Sequence, residues 1–184
     1  MRTKSAKWAA HGTGKGSDMK IRRAEKKDIP KLMDLLSQVL ELHAAIRPDI
    51  FISGTTKYTA RELEELIRND ETPVWVAADE EDAVAGYAFC RLREQPFSNN
   101  MVPFRSLFVD DLCVDEAYRG RHIGTQLLEF VREQARLLGC YEVTLNVWEG
   151  NDAAMGFYRA MGFRPKETQM EFILLRTRGH EAEI

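Results

Sequence analysis

What is scarce in this 184-residue sequence narrows it first. No apolar run approaches the roughly 20 residues needed to cross a bilayer. The amino-terminal stretch lacks the apolar centre of a secretory signal. There are only three cysteines, Cys90, Cys113 and Cys140, an odd number with no C-x-x-C spacing. That argues against a disulfide framework and against a zinc site, and it fits a reducing cytoplasm. Positive charge is not in excess: the net charge is -3, so nothing suggests general nucleic-acid binding. No internal repeat and no second domain are visible. What remains, 44% hydrophobic and 30% charged residues, is the composition of one ordinary globular domain with a real core.

The first eighteen residues, "MRTKSAKWAAHGTGKGSD", carry four Lys or Arg, one Asp and little apolar content. They read as a disordered tail or as a remnant of an expression vector. "GTGKGS" resembles the end of a phosphate-binding P-loop, but the first glycine and the preceding strand are missing. The fold is expected to begin at Met19, giving a domain over 19–184. Removing the tail's +3 from -3 leaves -6, so the domain itself is acidic.

Periodicity then supplies the elements. "MKIRRA" reads as a short strand, and Asp28 as the cap of a helix with Pro30 in its first turn. Ile29, Leu32, Met33, Leu36, Val39 and Leu40 follow helical spacing, which fades near His43. "RPDIFISGTTKY" reads as a loop. "TARE", Thr59 to Glu62, is a capping box opening a second helix. "PVWVAAD" and "AVAGYAFCRLRE" form a hairpin around the acidic turn "EED". "RSLFVDDLCV" is a strand with two acids in mid-run, and a third helix runs from about Ile123 to Leu138, closed by Gly139. "YEVTLNVW" is a strand, "NDAAMGFYRAMGF" a short helix, and "QMEFILL" a closing strand. Strand, helix, strand between Arg105 and Trp148 implies two parallel strands joined by a crossover. The fold class is therefore α/β, a mixed central sheet flanked by helices.

The chemistry concentrates in "VDEAYRGRHIGTQLLEFV". The first N–H groups of a helix have no intrahelical partner, and the helix dipole is positive there. Backbone amides around Arg121, His122, Ile123, Gly124 and Thr125 suit a phosphate. Gly120 and Gly124 allow close approach, and Arg119 and Arg121 add charge-assisted bonds. The plain alternative is a helix start with two solvated arginines. Downstream, Asn151 and Tyr158 are two helical turns apart and share a face. Asn151 also suits an N-cap, and Tyr158 also suits packing beside Phe157.

These two segments, "LCVDEAYRGRHIGTQLLEFV" and "LNVWEGNDAAMGFYRAMGF", resemble the Gcn5-related N-acetyltransferases (GNAT). The resemblance spans about Lys20 to Leu175 and is strongest from Asp110 to Phe163. It implies a single-domain acetyltransferase fold with acetyl-CoA as acetyl donor, transferring directly to an amine in a ternary complex. The family pattern Q/R-x-x-G-x-G/A, which binds the pyrophosphate of coenzyme A, falls on Arg119, Gly120, Arg121, His122, Ile123 and Gly124. His122 stands where the family usually has glycine. If that position needs a positive φ, the side chain costs on the order of 1 kcal/mol. The imidazole is expected to turn outward. Leu112, Cys113 and Val114 match the strand segment that pairs with the pantetheine arm, Asn151 the residue that holds that arm, and Tyr158 the general acid for the leaving thiolate.

The base is less defined by resemblance. Members that acetylate ribosomal protein N-termini use a glutamate where this chain has Asn146. Asp110 and Asp111 are the remaining strand acids. Alternation sends them to opposite faces unless a bulge intervenes, and Asp111 is the favoured base. Glu149 is a third candidate. Cys113 has no base partner and reads as packing. Trp148, Phe157 and Phe163 read as core. Acceptor recognition is expected from 40–54 and 94–103, with His43, Arg47, Asp49 and Phe51 as contacts or as caps of their own loop. The acceptor is an amine left unnamed by the sequence. A membrane or nucleic-acid partner is not expected, and the family's habit allows a homodimer. Two other readings compete: a non-catalytic acyl-CoA-binding module, and a protein that uses only the fold.

Overall fold

Residues Val74–Ala78 are apolar at every position, and all five are buried. A strand buried on both faces needs a layer on each. The computed structural model, which describes residues 19–94 and 98–174, supplies both layers. β1 (Lys20–Arg23), β2 (Val74–Ala78), β3 (Val84–Glu94), β4 (Arg105–Val114) and β5 (Glu142–Leu145) form one sheet in that order. The first four strands are antiparallel neighbours, and β4 pairs parallel with β5. The expected mixed sheet and parallel crossover are both present.

One face of the sheet carries Ile21, Trp75, Ala77, Leu107 and Val109 against α3 (Ile123–Leu137). Ile123, Leu127, Phe130, Val131 and Ala135 form the apolar stripe of that helix. The opposite face carries Val74, Val76, Tyr87, Phe89 and Cys113 against α1 (Ile29–Ile46) and α2 (Ala60–Arg68). Each large aliphatic side chain removed from water in these layers contributes about 1.5–3 kcal/mol. Gly139, at φ +69°, closes α3 as expected. Thr59 and Glu62 form the expected capping box of α2.

Four local expectations need correction. Asp28 makes no side-chain cap to α1; its carboxylate accepts instead from the Glu25 N–H and from Arg22, a charged partner it prefers when nearly buried. α1 does not fade near His43 but continues to Ile46, where the Arg47 N–H closes on the His43 carbonyl. β5 ends at Leu145, so Asn146 to Trp148 are not strand. The closing strand does not form among the described residues 169–174. Met170, Phe172 and Leu174 are each more than four-fifths exposed, so their alternation has no sheet edge to answer it. Leu175 and the tail 1–18 lie outside the described residues.

Candidate active site

Strand alternation alone would separate Asp110 from Asp111. β4 breaks that alternation. Phe89 pairs with Asp111 and Cys90 with Val109, which leaves Asp110 as the extra residue of a β-bulge. Before the bulge, Leu107 and Val109 face α3; after it, Leu112 and Val114 do. Asp111 is thereby placed with Cys113 on the α1–α2 side. Both acids now meet one cation: Lys57 Nζ is 2.9 Å from an Asp110 oxygen and 3.7 Å from an Asp111 oxygen. Lys57 comes from the loop between α1 and α2, and its ammonium also lies 5.5 Å from the centre of the Tyr58 ring.

The two acids have different surroundings. The Asp111 side chain is only 9% exposed, against 26% for Asp110. Burial pushes the Asp111 carboxyl up to about 6; the Lys57 charge pulls it back and the Asp110 charge adds to the rise. The buried Tyr87 hydroxyl lies beside Asp111 without reaching full hydrogen-bond geometry. Burial alone would lower the Lys57 ammonium, but Asp111 and Asp110 outweigh it and leave it raised. A buried carboxyl titrating near 6 is ionised at neutral pH yet basic enough to accept a proton.

β5 pairs with β4 only as far as Val109. Beyond it, Asp111–Val114 continue with β3 on one side and, among the described residues, with no strand on the other. The open edge ends at Val114, whose carbonyl accepts from Arg119 Nε at 3.3 Å. On the β3 side, a side chain at Gly86 would meet the Cys113 carbonyl at 2.7 Å, so the close strand contact there requires glycine. Cys113 is buried, its sulfur 3.9 Å from the Leu35 carbonyl, and burial pushes its thiol up to about 12. Such a thiol is inert, as the packing reading has it.

The turn after β4 holds its shape through two left-handed residues, Gly120 at φ +79° and His122 at φ +59°. His122 therefore occupies the strained conformation that glycine would fill freely. Its side chain is exposed and makes no capping bond. The first intrahelical bond of α3 runs from the Gln126 N–H to the His122 carbonyl, which leaves the N–H groups of Ile123, Gly124 and Thr125 without a partner inside the helix. The Ile123 side chain is buried in the core, so only its backbone can serve an anion. Arg119 is exposed and also bonds Glu116, and Arg121 lies over the Tyr118 ring at 5.2 Å. A methyl group at Gly124 would touch Phe157 Cζ at 3.4 Å and Val114 Cγ2 at 3.6 Å, which places α4 (Asp152–Ala160) beside this turn.

Asn151 is the N-cap of α4, its side-chain oxygen accepting from the Ala154 N–H at 3.2 Å. Tyr158 packs between Phe157 and Phe163, with ring centres 5.1 and 5.8 Å away. Burial raises the proton affinity of its phenol, and the Asp111 charge raises it further. Phe157 and Phe163 are half-buried and stand outside both core clusters. Trp148 is likewise not core. It meets Phe51 edge-on at 5.3 Å and carries Arg47 over its ring at 5.7 Å. Arg47 is bound to Asp49 and Glu171, so the loop-capping role holds for that pair. His43 packs on Phe51 at 5.1 Å, and burial and the Lys57 charge lower its pKa. Asn146 and Glu149 are exposed. Lys57 and Tyr87 escaped sequence reading, because a lone lysine in a polar loop and a tyrosine inside an apolar strand carry no signal of their own. Among the described residues no group of His, Cys, Asp or Glu is arranged to hold a metal, and no helix is long and apolar enough to cross a membrane.

The open edge of β4, the buried Asp111 carboxyl and a helix start whose first N–H groups have no intrahelical partner lie along one stretch of chain. Residues 36–163 match the family described as "Acetyltransferase (GNAT) family", and the chain belongs to that family. Over 105 residues it is 32% identical to the peptidyl-lysine N-acetyltransferase YjaB of Escherichia coli K12, covering 56% of this chain and 58% of that protein. A shorter stretch of 66 residues is 36% identical to a glucosamine 6-phosphate N-acetyltransferase of Trypanosoma brucei brucei, 36% of this chain and 43% of that one. The chain thus matches about half the length of these curated relatives. Among solved structures, a mutant of the BH1408 protein from Bacillus halodurans superposes with a TM-score of 0.80 at 30% identity, over 84% of this chain and 99% of that one. An aminoglycoside acetyltransferase from an uncultured soil sample shares the fold at a TM-score of 0.62 and 23% identity, over 86% and 97% of the two chains.

Proposed function

We propose that this protein is an acetyl-CoA-dependent N-acetyltransferase that moves the acetyl group directly to a primary amine in a ternary complex. The observation that carries this reading is the open edge of β4, with Asp111 buried on it, running into a helix start whose first N–H groups have no intrahelical partner. Acetyl-CoA supplies an activated acetyl thioester. The residues present fit it. The N–H groups of Ile123, Gly124 and Thr125, shaped by Gly120 and His122 and flanked by Arg119 and Arg121, suit its pyrophosphate. The backbone of Leu112, Cys113 and Val114 suits the amides of its pantetheine arm, and the Asn151 side-chain nitrogen is free of the cap that uses its oxygen.

An amine is nucleophilic only when neutral. Asp111 takes its proton, directly or through a water, with Asp110 holding the ammonium before that transfer. Tyr158, protonated throughout the neutral range, gives a proton to the sulfur as the C–S bond breaks. YjaB is named for peptidyl-lysine and the trypanosomal enzyme for glucosamine 6-phosphate; both are primary amines. An acidic domain favours a cationic acceptor such as a lysine side chain over a phosphorylated amino sugar. We take residues 19–184 as one domain and the cytoplasm as its compartment, a reading supported by three free cysteines.

The second reading, a binding module without turnover, is favoured by Asn146 at the usual base position and by His122 in the phosphate turn. Thiol release from acetyl-CoA over a panel of primary amines separates the two. Turnover with any amine is expected; binding without turnover across the panel establishes the module. Gly124→Glu, which sets a carboxylate against the anion site, is expected to abolish coenzyme A binding in calorimetry. Unchanged affinity would place the donor elsewhere.

A further inference from the structure

We propose that Lys57 is itself an acetyl acceptor: its Nζ, seated between Asp110 and Asp111 at the open edge of β4, takes an acetyl group when no other amine occupies the cleft. The inference rests on the transferase reading above and adds a modification site to it. Lys57 is a primary alkylamine already where an acceptor would need to be. Its nitrogen is 2.9 and 3.7 Å from the two strand acids, and 37% of its side chain is exposed, so the seat is open to solvent and to a donor. Asp111 adjoins Leu112–Val114, the segment that would face the thioester, and its charge reaches Tyr158. Base and amine are therefore already in contact beside that segment.

Other lysines are also paired with carboxylates. Lys26 meets Glu64, Lys27 meets Asp82 and Lys31 meets Asp115. Those three carboxylates are held below their usual range by their partners, so they are poor proton acceptors. Asp111 is held above its usual range by burial. Pairing alone does not single out Lys57; pairing with a basic, buried acid at the open strand edge does.

The step balances without any redox partner. The Lys57 ammonium gives one proton to Asp111. The neutral nitrogen bonds to the acetyl carbonyl carbon and the C–S bond breaks. The sulfur takes the Tyr158 proton, and the second amine proton replaces it on the phenol. The products are an amide at Lys57 and free coenzyme A. The amide is neutral, so the tie between the 47–58 loop and β4 is lost, and Asp110 and Asp111 are released to a diffusing amine.

The test is intact-mass spectrometry of the full chain incubated with isotopically labelled acetyl-CoA and no amine, followed by peptide mapping. One acetyl increment is expected, located at Lys57. Its rate should be first order and independent of protein concentration, and about 10²-fold slower in Tyr158→Phe. Lys26, Lys27 and Lys166 in the same digest report uncatalysed labelling. Label spread evenly over these lysines, or a rate proportional to protein concentration, overturns the inference. Thiol release with free amines but no label at Lys57 overturns it while the transferase reading stands. Neither release nor label overturns both.

Discussion

The Tyr158 phenol and the Asp111 carboxylate come from α4 and β4, yet the charge of the acid reaches the phenol and helps hold its proton in place. Burial is the larger cause and acts on both groups, making the acid more basic and the phenol less acidic. Burial thus favours the protonated form of both groups. In the proposed mechanism the carboxylate takes a proton from the amine and the tyrosine, still protonated at neutral pH, gives one to the sulfur.

The pH profile follows from Asp111. As the proposed base it must be ionised to act, and its carboxyl is pushed up to about 6. kcat/KM is expected to be level above that value and to fall about tenfold per pH unit below it. Asp111→Asn should slow transfer by about 10²-fold or more and remove this acid limb, while Asp110→Asn costs less than about tenfold and keeps it. Steady-state kinetics from acid to neutral pH decide. Equal, small effects from both changes would mean that bulk water takes the proton.

The same burial makes Asp111 a liability to the fold. Its folded pKa lies above the ordinary 3.8, so the native state holds the extra proton between about pH 4 and 6. The contribution of Asp111 to stability is therefore greatest below this window and declines as pH rises through it. The loss amounts to at most roughly 3 kcal/mol. Asp111→Asn, neutral at every pH, is expected to melt several degrees above the parent at neutral pH and close to it at about pH 4. Thermal melts at the two pH values test this; a variant less stable at neutral pH would show that the Lys57 pairing outweighs desolvation.

His122 sits at φ +59° with its side chain exposed. His122→Gly relieves a left-handed strain of about 1 kcal/mol, partly offset by the greater freedom of glycine in the unfolded chain. A stability change between zero and about +1 kcal/mol is expected, with coenzyme A affinity altered by less than about tenfold. Denaturant melts and calorimetry measure the two. A larger loss of affinity would make the imidazole a phosphate ligand.

Tyr158→Phe keeps the ring between Phe157 and Phe163 and removes only the hydroxyl. It should lower kcat by about 10²-fold, with coenzyme A affinity within a few-fold. Unchanged turnover in steady-state assays would reduce Tyr158 to packing.

Much of this was legible in the residues. The buried run of β2, the capping box at Thr59 and Glu62, the glycine stop at Gly139 and the arginine–glycine turn into α3 depend on neighbours a few positions away, and local chemistry decides them. The closing strand failed for the opposite reason. "QMEFILL" has the pattern of a strand, but a pattern needs an edge to pair with. Trp148, Phe157 and Phe163 look like core by residue type, yet stand outside both core clusters.

The acid pair shows where the division falls. The sequence by itself determined that β4 would carry two adjacent acids and run through an arginine–glycine turn into a helix start, because strand propensity and turn chemistry act over a few residues. Only the tertiary structure decided which way those acids face. The bulge at Asp110 arises from the pairing of β4 with β3. The Lys57 ammonium arrives from a loop more than fifty positions earlier. The Asp111 carboxyl is raised by burial, a property of the packed layers that no single stretch of chain possesses.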